Sequence, residues 1–266
     1  MAESERSHLR MTFGEDAELY DRCRPGYPDS MFTDLSTLAG IDSGSRVLEI
    51  GCGTGQATVP LARFGCAITA VELSENLAAI AQRNLAEFEN THVAVAAFER
   101  WPLPDAPFDA VLSATAFHWI APELRVAKAA DALRIGGALA VVSTHHVAGG
   151  THAFFEDAQR CYERFDPATE PGGVRLRAGV DVPYDATEFD ASDRFGPVEF
   201  RRYEWEETYT SDAYLDLVCT YSGHRALPAA SRARLLDCLA DLIDRRYDGR
   251  ITKRHLTQLT ITRKAA

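Results

Sequence analysis

Several features that would assign this chain to a special class are absent from its sequence. No stretch approaches the ~18 consecutive apolar residues of a membrane-spanning helix. The polar start, Met1 to Arg10, has no apolar core like that of a secretory signal peptide. Positive charge is also scarce: 28 Lys and Arg stand against 39 Asp and Glu, a net charge of -11, whereas nucleic-acid binders usually concentrate positive charge. We therefore expect a cytoplasmic protein that binds neither membranes nor nucleic acids.

The six cysteines lack the spacing of a metal site. They include no Cys-x-x-Cys pair, and none has a His at the spacing typical of zinc ligands, so we predict no bound metal. They are instead scattered through apolar segments, which predicts buried, reduced thiols. The cysteines are Cys23, Cys52, Cys66, Cys161, Cys219 and Cys238.

The positive evidence begins with the alternation of apolar runs and amphipathic stretches from about residue 46. This pattern is typical of a parallel sheet covered by helices, and 266 residues suit a single α/β domain, 1–266, with a modest insertion. The last strand alternates polar and apolar residues, which favours an antiparallel position at or next to an edge. Strands are predicted at 46–50, 67–72, 92–97, 108–114, 138–143, 198–208 and 251–262, and helices at 55–64, 74–88, 122–134, 152–165, 211–222 and 229–247.

Two segments outside this alternation are predicted to cover a site. Residues 1–30 precede the core, and 13–28 are dense in Tyr, Arg, Pro and Gly, which suggests a flap. Residues 150–195 contain one helix and then an acidic stretch rich in Pro and Gly, which suggests an inserted lid. Near the C-terminus, we expect the apolar stripe of helix 229–247 to pack in the core. We expect the basic residues Arg245, Arg246, Arg250, Lys253 and Arg254 to form a solvated face.

The strongest chemical signal is residues 49–56, Glu-Ile-Gly-Cys-Gly-Thr-Gly-Gln, where a strand runs into three alternating glycines and then a helix. Glycines allow a tight turn and close approach of a ligand, and the helix start offers free N–H groups. A dinucleotide-binding turn would need glycine where Gln56 stands, and a phosphate loop would need Gly-Lys-Ser/Thr. Glu72, at the end of the second strand, can accept hydrogen bonds from two ribose hydroxyls. The alternative is a plain strand-to-helix turn with a solvated Glu72.

The glycine turn with Glu72 resembles the cofactor site of the class I S-adenosylmethionine (SAM)-dependent methyltransferases. The resemblance is to the branch that includes trans-aconitate methyltransferase and the quinone-biosynthesis C-methyltransferases. It extends over about residues 13–143, with further matches at 20–28, 117–120 and 133–137. It implies an enzyme with a Rossmann-like seven-stranded sheet of order 3-2-1-4-5-7-6, the last strand antiparallel, and helices on both faces. SAM would be the cofactor and S-adenosylhomocysteine the product.

The resemblance also implies roles for individual residues. The glycine turn would lie against the methionine and ribose of SAM, Leu73 would pack on adenine, and Arg24 could pair with the SAM carboxylate. Arg24 as a surface residue before a turn is the alternative. Many relatives have Asp at the position of Ala97, so the backbone of Phe98 or the side chain of Glu99 would have to bind adenine here. The predicted cofactor residues are Tyr20, Arg24, Glu49, Gly51, Cys52, Gly53, Gly55, Gln56, Glu72, Leu73, Ala97, Phe98, Ser113 and Ala114.

The acceptor site is less defined by the sequence, and Tyr27, His118, Trp119 and His145 are its predicted residues. His118 follows the fourth strand, where ligands bind in open α/β folds, and an imidazole can accept a proton near pH 7. Alternatively, His118 and Trp119 form an aromatic wall, and the His145-His146 pair after the fifth strand is the second candidate for the base. We expect a small-molecule acceptor methylated on a carboxylate or hydroxyl oxygen, and a monomer or homodimer.

Three further possibilities stay open at this point. Arg24, His118, His224 or Arg225 could bind a carboxylic acid acceptor. The chain could be a non-catalytic SAM-binding partner or regulatory subunit, with motif residues but a blocked pocket. A nucleotide-dependent oxidoreductase is disfavoured by Gln56.

Overall fold

A computed structural model describes residues 6, 9–172 and 175–266 and contains one seven-stranded sheet, of order β3-β2-β1-β4-β5-β7-β6. Strands β1 to β5 pair in parallel, whereas β7 runs antiparallel to both β5 and β6. The predicted fold class, strand order and antiparallel last strand are confirmed. The strands are β1 (Arg46–Ile50), β2 (Ala67–Glu72), β3 (Thr91–Val95), β4 (Phe108–Ala114), β5 (Leu133–Val147), β6 (Glu199–Thr210) and β7 (Arg250–Arg263).

Strand β5 is much longer than the predicted 138–143. It begins at Leu133 because the helix before it ends at Ala132, two residues earlier than expected. Its antiparallel pairing with β7 continues to Val147, opposite Arg254. This extension carries the sheet beyond the buried core, so that side chains at the end of β5 can line a site.

Helices cover both faces of the sheet, as predicted. Leu35 and Leu61 pack against Val47 on one face, whereas Ala129 packs with Leu48 and Phe117 on the other. Successive residues of β1 therefore face opposite layers, as the pleat of a strand requires. The helices are α1 (Ala17–Cys23), α2 (Asp29–Ala39), α3 (Thr58–Ala62), α4 (Glu75–Asn84), α5 (Pro122–Ala132), α6 (His152–Phe165), α7 (Thr187–Asp190), α8 (Ser211–Cys219), α9 (Ser222–Arg225) and α10 (Ala229–Arg246), with 3-10 turns at Thr12–Asp16, Phe117–Trp119 and Gly179–Asp181.

Helices α6, α8 and α10 form a separate apolar cluster at the end of the sheet, built on Phe154, Leu217 and Leu239. The predicted core stripe of α10 is therefore confirmed. The prediction of six reduced thiols is wrong, because Cys161 on α6 and Cys238 on α10 form a disulfide with Cα atoms 5.8 Å apart. These cysteines are separated by 77 residues, and only the packing of the two helices brings them together. Cys23, Cys52, Cys66 and Cys219 are free.

The N-terminal segment is tied to the rest of the fold by polar contacts on α1. Glu18 pairs with Arg83 at 2.7 Å, and Asp21 accepts a hydrogen bond from the Asn84 amide at 2.9 Å. Both contacts dock α1 on α4, which follows the glycine turn and β2. Residues 1–5, 7 and 8 of the predicted flap, and 173 and 174 of the predicted lid, lie outside the described residues. Across the described ranges, no helix has the length and apolar character needed to cross a membrane.

Candidate active site

A cavity of about 430 Å³ lies where the carboxyl ends of the parallel strands meet the N-terminal segment. Its wall combines the glycine turn, the end of β2, the loops after β3 and β4, and side chains from β5 and β7. Most of the predicted site residues line it: Tyr20, Arg24, Tyr27, Glu49, Gly51, Cys52, Gly53, Gln56, Glu72, Leu73, Ala97, Phe98, Ala114, His118 and Trp119. The structure thus brings most of the predicted residues together around one cavity, whereas Gly55, Ser113 and His145 do not line it.

The three glycines of the turn have left-handed backbones, with φ of +73° at Gly51, +59° at Gly53 and +103° at Gly55. A Cβ on Gly51 would lie 2.5 Å from the Cβ of Ala116, so the loop after β4 packs directly on the turn. A Cβ on Gly53 would lie 3.5 Å from the hydroxyl of Tyr20. Gly55 shapes the turn but faces α3, which is why it does not reach the cavity.

Glu72 is held by hydrogen bonds from two backbone amides, one of which belongs to the glycine turn. Its Oε2 accepts a hydrogen bond from the Gly53 amide at 2.9 Å, and its Oε1 accepts one from the Ser74 amide at 2.8 Å. Burial raises the pKa of this carboxyl group, while the amides of Ser74 and Gly53 act in the opposite direction. A carboxylate has about four acceptor positions, so two remain on Glu72 for a ligand.

Glu49 is a second carboxylate in the cavity wall, and it is only 1% exposed. Its Oε2 has no hydrogen-bond partner among the described residues. Burial raises its pKa to about 7. A buried carboxylate with an unpaired oxygen suits a cationic group of a ligand, because such a group would restore the charge balance that burial disturbs.

Arg24 lines the cavity and is surrounded by three aromatic rings. The alternative that Arg24 is a surface residue before a turn is therefore wrong. Its guanidinium carbon lies 4.7 Å from the ring centre of Tyr221, 5.0 Å from that of Tyr20 and 5.6 Å from that of Phe13. Nη2 donates to the carbonyl of Thr220 at 2.8 Å, whereas the buried Nε has no partner among the described residues. The guanidinium is therefore fixed and still has a donor available.

Ala97 and Phe98, which the family resemblance places beside adenine, also line the cavity. The adjacent Glu99 pairs with Arg10 through Oε1 at 2.6 Å, which lowers the pKa of this carboxyl group against the effect of burial. Its buried Oε2 has no partner among the described residues. Glu99 therefore keeps an acceptor that could replace the Asp found in many relatives.

The prediction that Ser113 contacts the cofactor is corrected by its position in the structure. It is fully buried, and its hydroxyl donates to the carbonyl of Ile50 at 3.0 Å, so it braces β4 against β1. Thr115, two residues later, lines the cavity instead. Its φ of +53° is unusual for a β-branched residue, and its hydroxyl hydrogen-bonds the hydroxyl of Tyr27. Such strain in a cavity wall often marks a functional position.

His118 and Trp119 form the short 3-10 turn after β4, with ring centres 4.8 Å apart. Trp119 also packs edge-on against Phe13 at 5.3 Å. Burial, assisted by the charge of Arg125, lowers the pKa of His118. The imidazole is therefore neutral at pH 7, a state that can accept a proton. This geometry accommodates both the base and the wall interpretation.

The far end of the cavity contains residues that the sequence analysis missed or misplaced. His145 points to the other face of β5 and contacts Ser143, whereas His146 lines the cavity, because alternate residues of a strand face opposite sides. Lys253 and His255 on β7 also line it, so the expected solvated face at Lys253 is wrong. The other missed lining residues include Thr144, Tyr221 and Ser222. No group of three or more His, Cys, Asp or Glu side chains in the described ranges is arranged to hold a metal ion.

Two other candidates for acid binding lie outside the cavity wall. The imidazole of His224 hydrogen-bonds the hydroxyl of Tyr162 at 3.0 Å, and Arg225 pairs with Glu15 at 3.3 Å. The predicted lid, 150–195, contributes none of the lining residues among its described part. Its helix α6 lies behind the wall, where Phe155 packs against His146 with ring centres 4.3 Å apart.

Comparison with known proteins agrees with this geometry. A family profile described as a methyltransferase domain matches residues 47–137. An uncharacterized methyltransferase of Mycobacterium tuberculosis is 29% identical over 90% of this chain and 88% of its own length. Demethylmenaquinone methyltransferase of Tropheryma whipplei is 28% identical, over 53% of this chain and 60% of its own. A solved structure of an Anaeromyxobacter dehalogenans protein, assigned as a type II methyltransferase, superimposes with a TM-score of 0.63 at 25% identity and covers 90% of this chain and 97% of its own.

Proposed function

This chain belongs to the class I SAM-dependent methyltransferases, and from that premise we propose that it methylates a small-molecule acceptor within the described cavity. SAM occupies the end formed by the glycine turn and Glu72, and the acceptor occupies the end formed by Tyr27, His118 and strands β5 and β7. The observation that carries the proposal is the continuity of the cavity. One space is lined at once by the glycine turn with Glu72 and by side chains of β5, β7 and the loop after β4.

The residues at the glycine turn fit the groups of SAM. Glu72 keeps two acceptor positions for the two ribose hydroxyls after binding Gly53 and Ser74. The unpaired oxygen of Glu49 suits the amino group of the methionine part, and the available donor of Arg24 suits its carboxylate. The amino group and the carboxylate of the methionine part would therefore each meet an opposite charge already present in the wall.

SAM supplies a methyl group on a sulfonium, which is already an activated leaving group. The acceptor's lone pair forms the new bond to the methyl carbon while the carbon–sulfur bond breaks and its electrons return to sulfur. The protein's contribution is then mainly to align the acceptor and to exclude water. Phe13, Tyr20 and Trp119 provide the aromatic surface for that exclusion, and the N-terminal segment acts as the cover.

Oxygen is the favoured methylated atom. A carboxylate acceptor requires no base, whereas a hydroxyl acceptor would lose its proton as the new bond forms. The neutral imidazole of His118, exposed to the cavity, is the candidate that receives that proton.

The test combines binding and turnover. We expect calorimetry to give micromolar dissociation constants for SAM and S-adenosylhomocysteine, which correspond to a binding free energy of about 7 to 9 kcal/mol in favour of the complex. A screen with methyl-labelled SAM against carboxylic acids, phenols and amines should then find labelled product. Absence of binding to either ligand would overturn the proposal. Binding without transfer to any acceptor would favour a non-catalytic SAM-binding subunit.

A further inference from the structure

The acceptor end of the cavity contains a buried cation, Lys253, that has no anionic partner in the part of the chain that the structure describes. Lys253 is only 9% exposed, and its Nζ donates to the hydroxyl of Tyr221 at 3.0 Å. Among the described residues, no carboxylate forms an ion pair with Lys253. Glu207 lies opposite Lys253 on β6, but its carboxylate accepts a hydrogen bond from the Tyr209 hydroxyl at 2.7 Å instead.

The neighbouring residue shows how unusual this arrangement is. Arg254 points to the other face of β7 and pairs with Glu206 at 2.7 Å. Two consecutive cations therefore have opposite surroundings: one is paired and accessible to solvent, and the other is buried in a cavity wall. A buried ammonium group is costly unless an anion compensates it, so an anionic group of a ligand in the cavity would be stabilised beside Lys253.

Two imidazoles flank this cation in the cavity wall. His146 and His255 are opposite one another on β5 and β7, with ring centres 6.4 Å apart. The Nε2 atom of each ring is buried and has no partner among the described residues. Burial and the charge of Lys253 lower both pKa values to about 3, so both rings are neutral and can each donate one N–H.

Packing fixes these rings in place. Trp205 stacks on His255 at 4.5 Å and is itself held by a hydrogen bond from its indole nitrogen to Thr257 at 3.0 Å. Phe155 packs edge-on against His146 at 4.3 Å. Because the rings are held by neighbours on β6 and α6, the polar groups form a prearranged site, which lowers the entropic cost of binding.

We propose that Lys253, flanked by His146 and His255, binds a carboxylate on the methyl acceptor and so makes small carboxylic acids the preferred substrates. This inference rests on the proposed methyltransferase function and deepens it. It concerns recognition of the acceptor and assigns no role to Lys253 in the transfer step.

The charge of the site favours a monoanion. Lys253 and Arg24 lie on the same aromatic ring, with Lys253 Nζ 5.3 Å and the Arg24 guanidinium carbon 4.7 Å from the centre of Tyr221. Arg24 serves the cofactor in the proposed function, which leaves one cation for the acceptor. One ammonium with neutral N–H donors balances a carboxylate, whereas a phosphate dianion would need a second cation.

The experiment measures binding to the complete chain saturated with S-adenosylhomocysteine, so that no reaction occurs. The probes are benzoate, phenylacetate and hexanoate, each paired with its primary amide, and affinities are measured by calorimetry and ligand-detected NMR. The variants are Lys253→Met and Lys253→Gln, which remove the charge, and Lys253→Arg, which keeps it. Arg254→Met is the matched control on the opposite face of the same strand.

In the parent protein we expect at least one acid to bind about tenfold or more tightly than its amide, the scale of a charge-assisted hydrogen bond. Lys253→Met and Lys253→Gln should abolish this preference, while Lys253→Arg and Arg254→Met should keep it. All four variants should retain the parent's affinity for S-adenosylhomocysteine.

Two results would overturn the inference. One is that no acid binds better than its amide to the parent complex. The other is that the preference survives in both charge-removing variants. If only one of these two variants folds, its result alone decides. Loss of S-adenosylhomocysteine binding by the parent protein is a different failure, because it would contradict the proposed function itself.

Discussion

The two ends of the cavity are built in different ways. The proposed cofactor end comes largely from the continuous segment 49–73, and its candidate binding groups are a glycine turn and two carboxylates. The proposed acceptor end combines Tyr27, Tyr221 and residues of β5 and β7, and its candidate binding groups are a cation and imidazoles. A local backbone conformation produces the first end, whereas the register between distant strands produces the second. Substitutions should therefore affect the two ends independently, and this expectation can be tested.

The largest effect is expected from Gly53→Val at the cofactor end. The residue has a φ of +59°, and a side chain there would lie against Tyr20 and Gln56. We expect the variant to fold but to lose at least about a hundredfold in SAM affinity, since valine would fill the space where the ligand meets the backbone. Calorimetry with SAM measures the loss.

A matched control separates this effect from backbone strain. Gly40 ends α2 with a φ of +69°, and a Cβ there would meet nothing within 4 Å. Gly40→Val should therefore reduce the melting temperature through comparable strain yet keep the parent affinity for SAM. Equal affinity in Gly53→Val and Gly40→Val would show that the turn is not the cofactor site.

The next largest effect concerns Glu49 and pH. Its pKa is raised to about 7 in the fold, above the value of an unfolded glutamate. Below about pH 4.5 both states are protonated and Glu49 has no effect on the free energy of unfolding. Above pH 7 it is ionised in both states, and its burial costs the fold on the order of 3 kcal/mol.

Glu49→Gln should accordingly melt near the parent temperature at pH 5 and clearly above it at pH 8.5, without cofactor. Glu99→Gln is the control variant, for which the change in stability with pH should have the opposite sign. Against the effect of burial, a backbone hydrogen bond and pairing with Arg10 lower the pKa of Glu99, so the contribution of Glu99 to stability is present at neutral pH and is lost on acidification. A melting-temperature difference for Glu49→Gln that does not change with pH would contradict the assignment of a buried, costly carboxylate.

Glu72→Ala is expected to weaken SAM binding by roughly 1.5 to 3 kcal/mol, the usual scale of hydrogen bonds to a charged group. The variant also removes the acceptor for the Gly53 and Ser74 amides. Glu72→Gln, which keeps one acceptor oxygen, should lose less. Calorimetry with SAM decides the point, and unchanged affinity in both variants would remove Glu72 from the cofactor site.

The smallest effect on cofactor affinity is expected at the acceptor end, from His118→Gln. SAM affinity should stay within about twofold of the parent, because the two ends act separately. If the acceptor is a hydroxyl, kcat should fall by roughly a hundredfold, the lower end for loss of a general base. If it is a carboxylate, kcat should change little and KM should rise. A large loss of SAM affinity would instead show that the two ends are coupled.

The cofactor end could be predicted because its information is local. The glycine spacing specifies a turn, and Glu72 follows a recognisable strand, so neither prediction requires knowledge of distant packing. The exceptions within this end follow from side-chain direction. Gly55 and Ser113 occupy predicted segments, but one faces α3 and the other is buried between β1 and β4.

The acceptor end could not be predicted because the sequence does not reveal which way its strand residues face. The predicted core of β5 is apolar on both sides, so it gives no alternation from which the orientation of His145 and His146 could be deduced. On β7, Lys253 and Arg254 are both basic, yet one enters the cavity and the other pairs with Glu206. In each pair, only the register with neighbouring strands distinguishes the inward residue.

The amino-acid sequence by itself determined the alternation of strands and helices, the strand order through its family resemblance, and the cofactor turn. Each of these depends on backbone preferences and apolar periodicity within short segments. Tertiary structure alone decided that Cys161 meets Cys238, that His146 rather than His145 lines the cavity, and that Lys253 is buried in the cavity wall. These features join residues far apart in the chain, and their positions are set by packing that no short segment encodes.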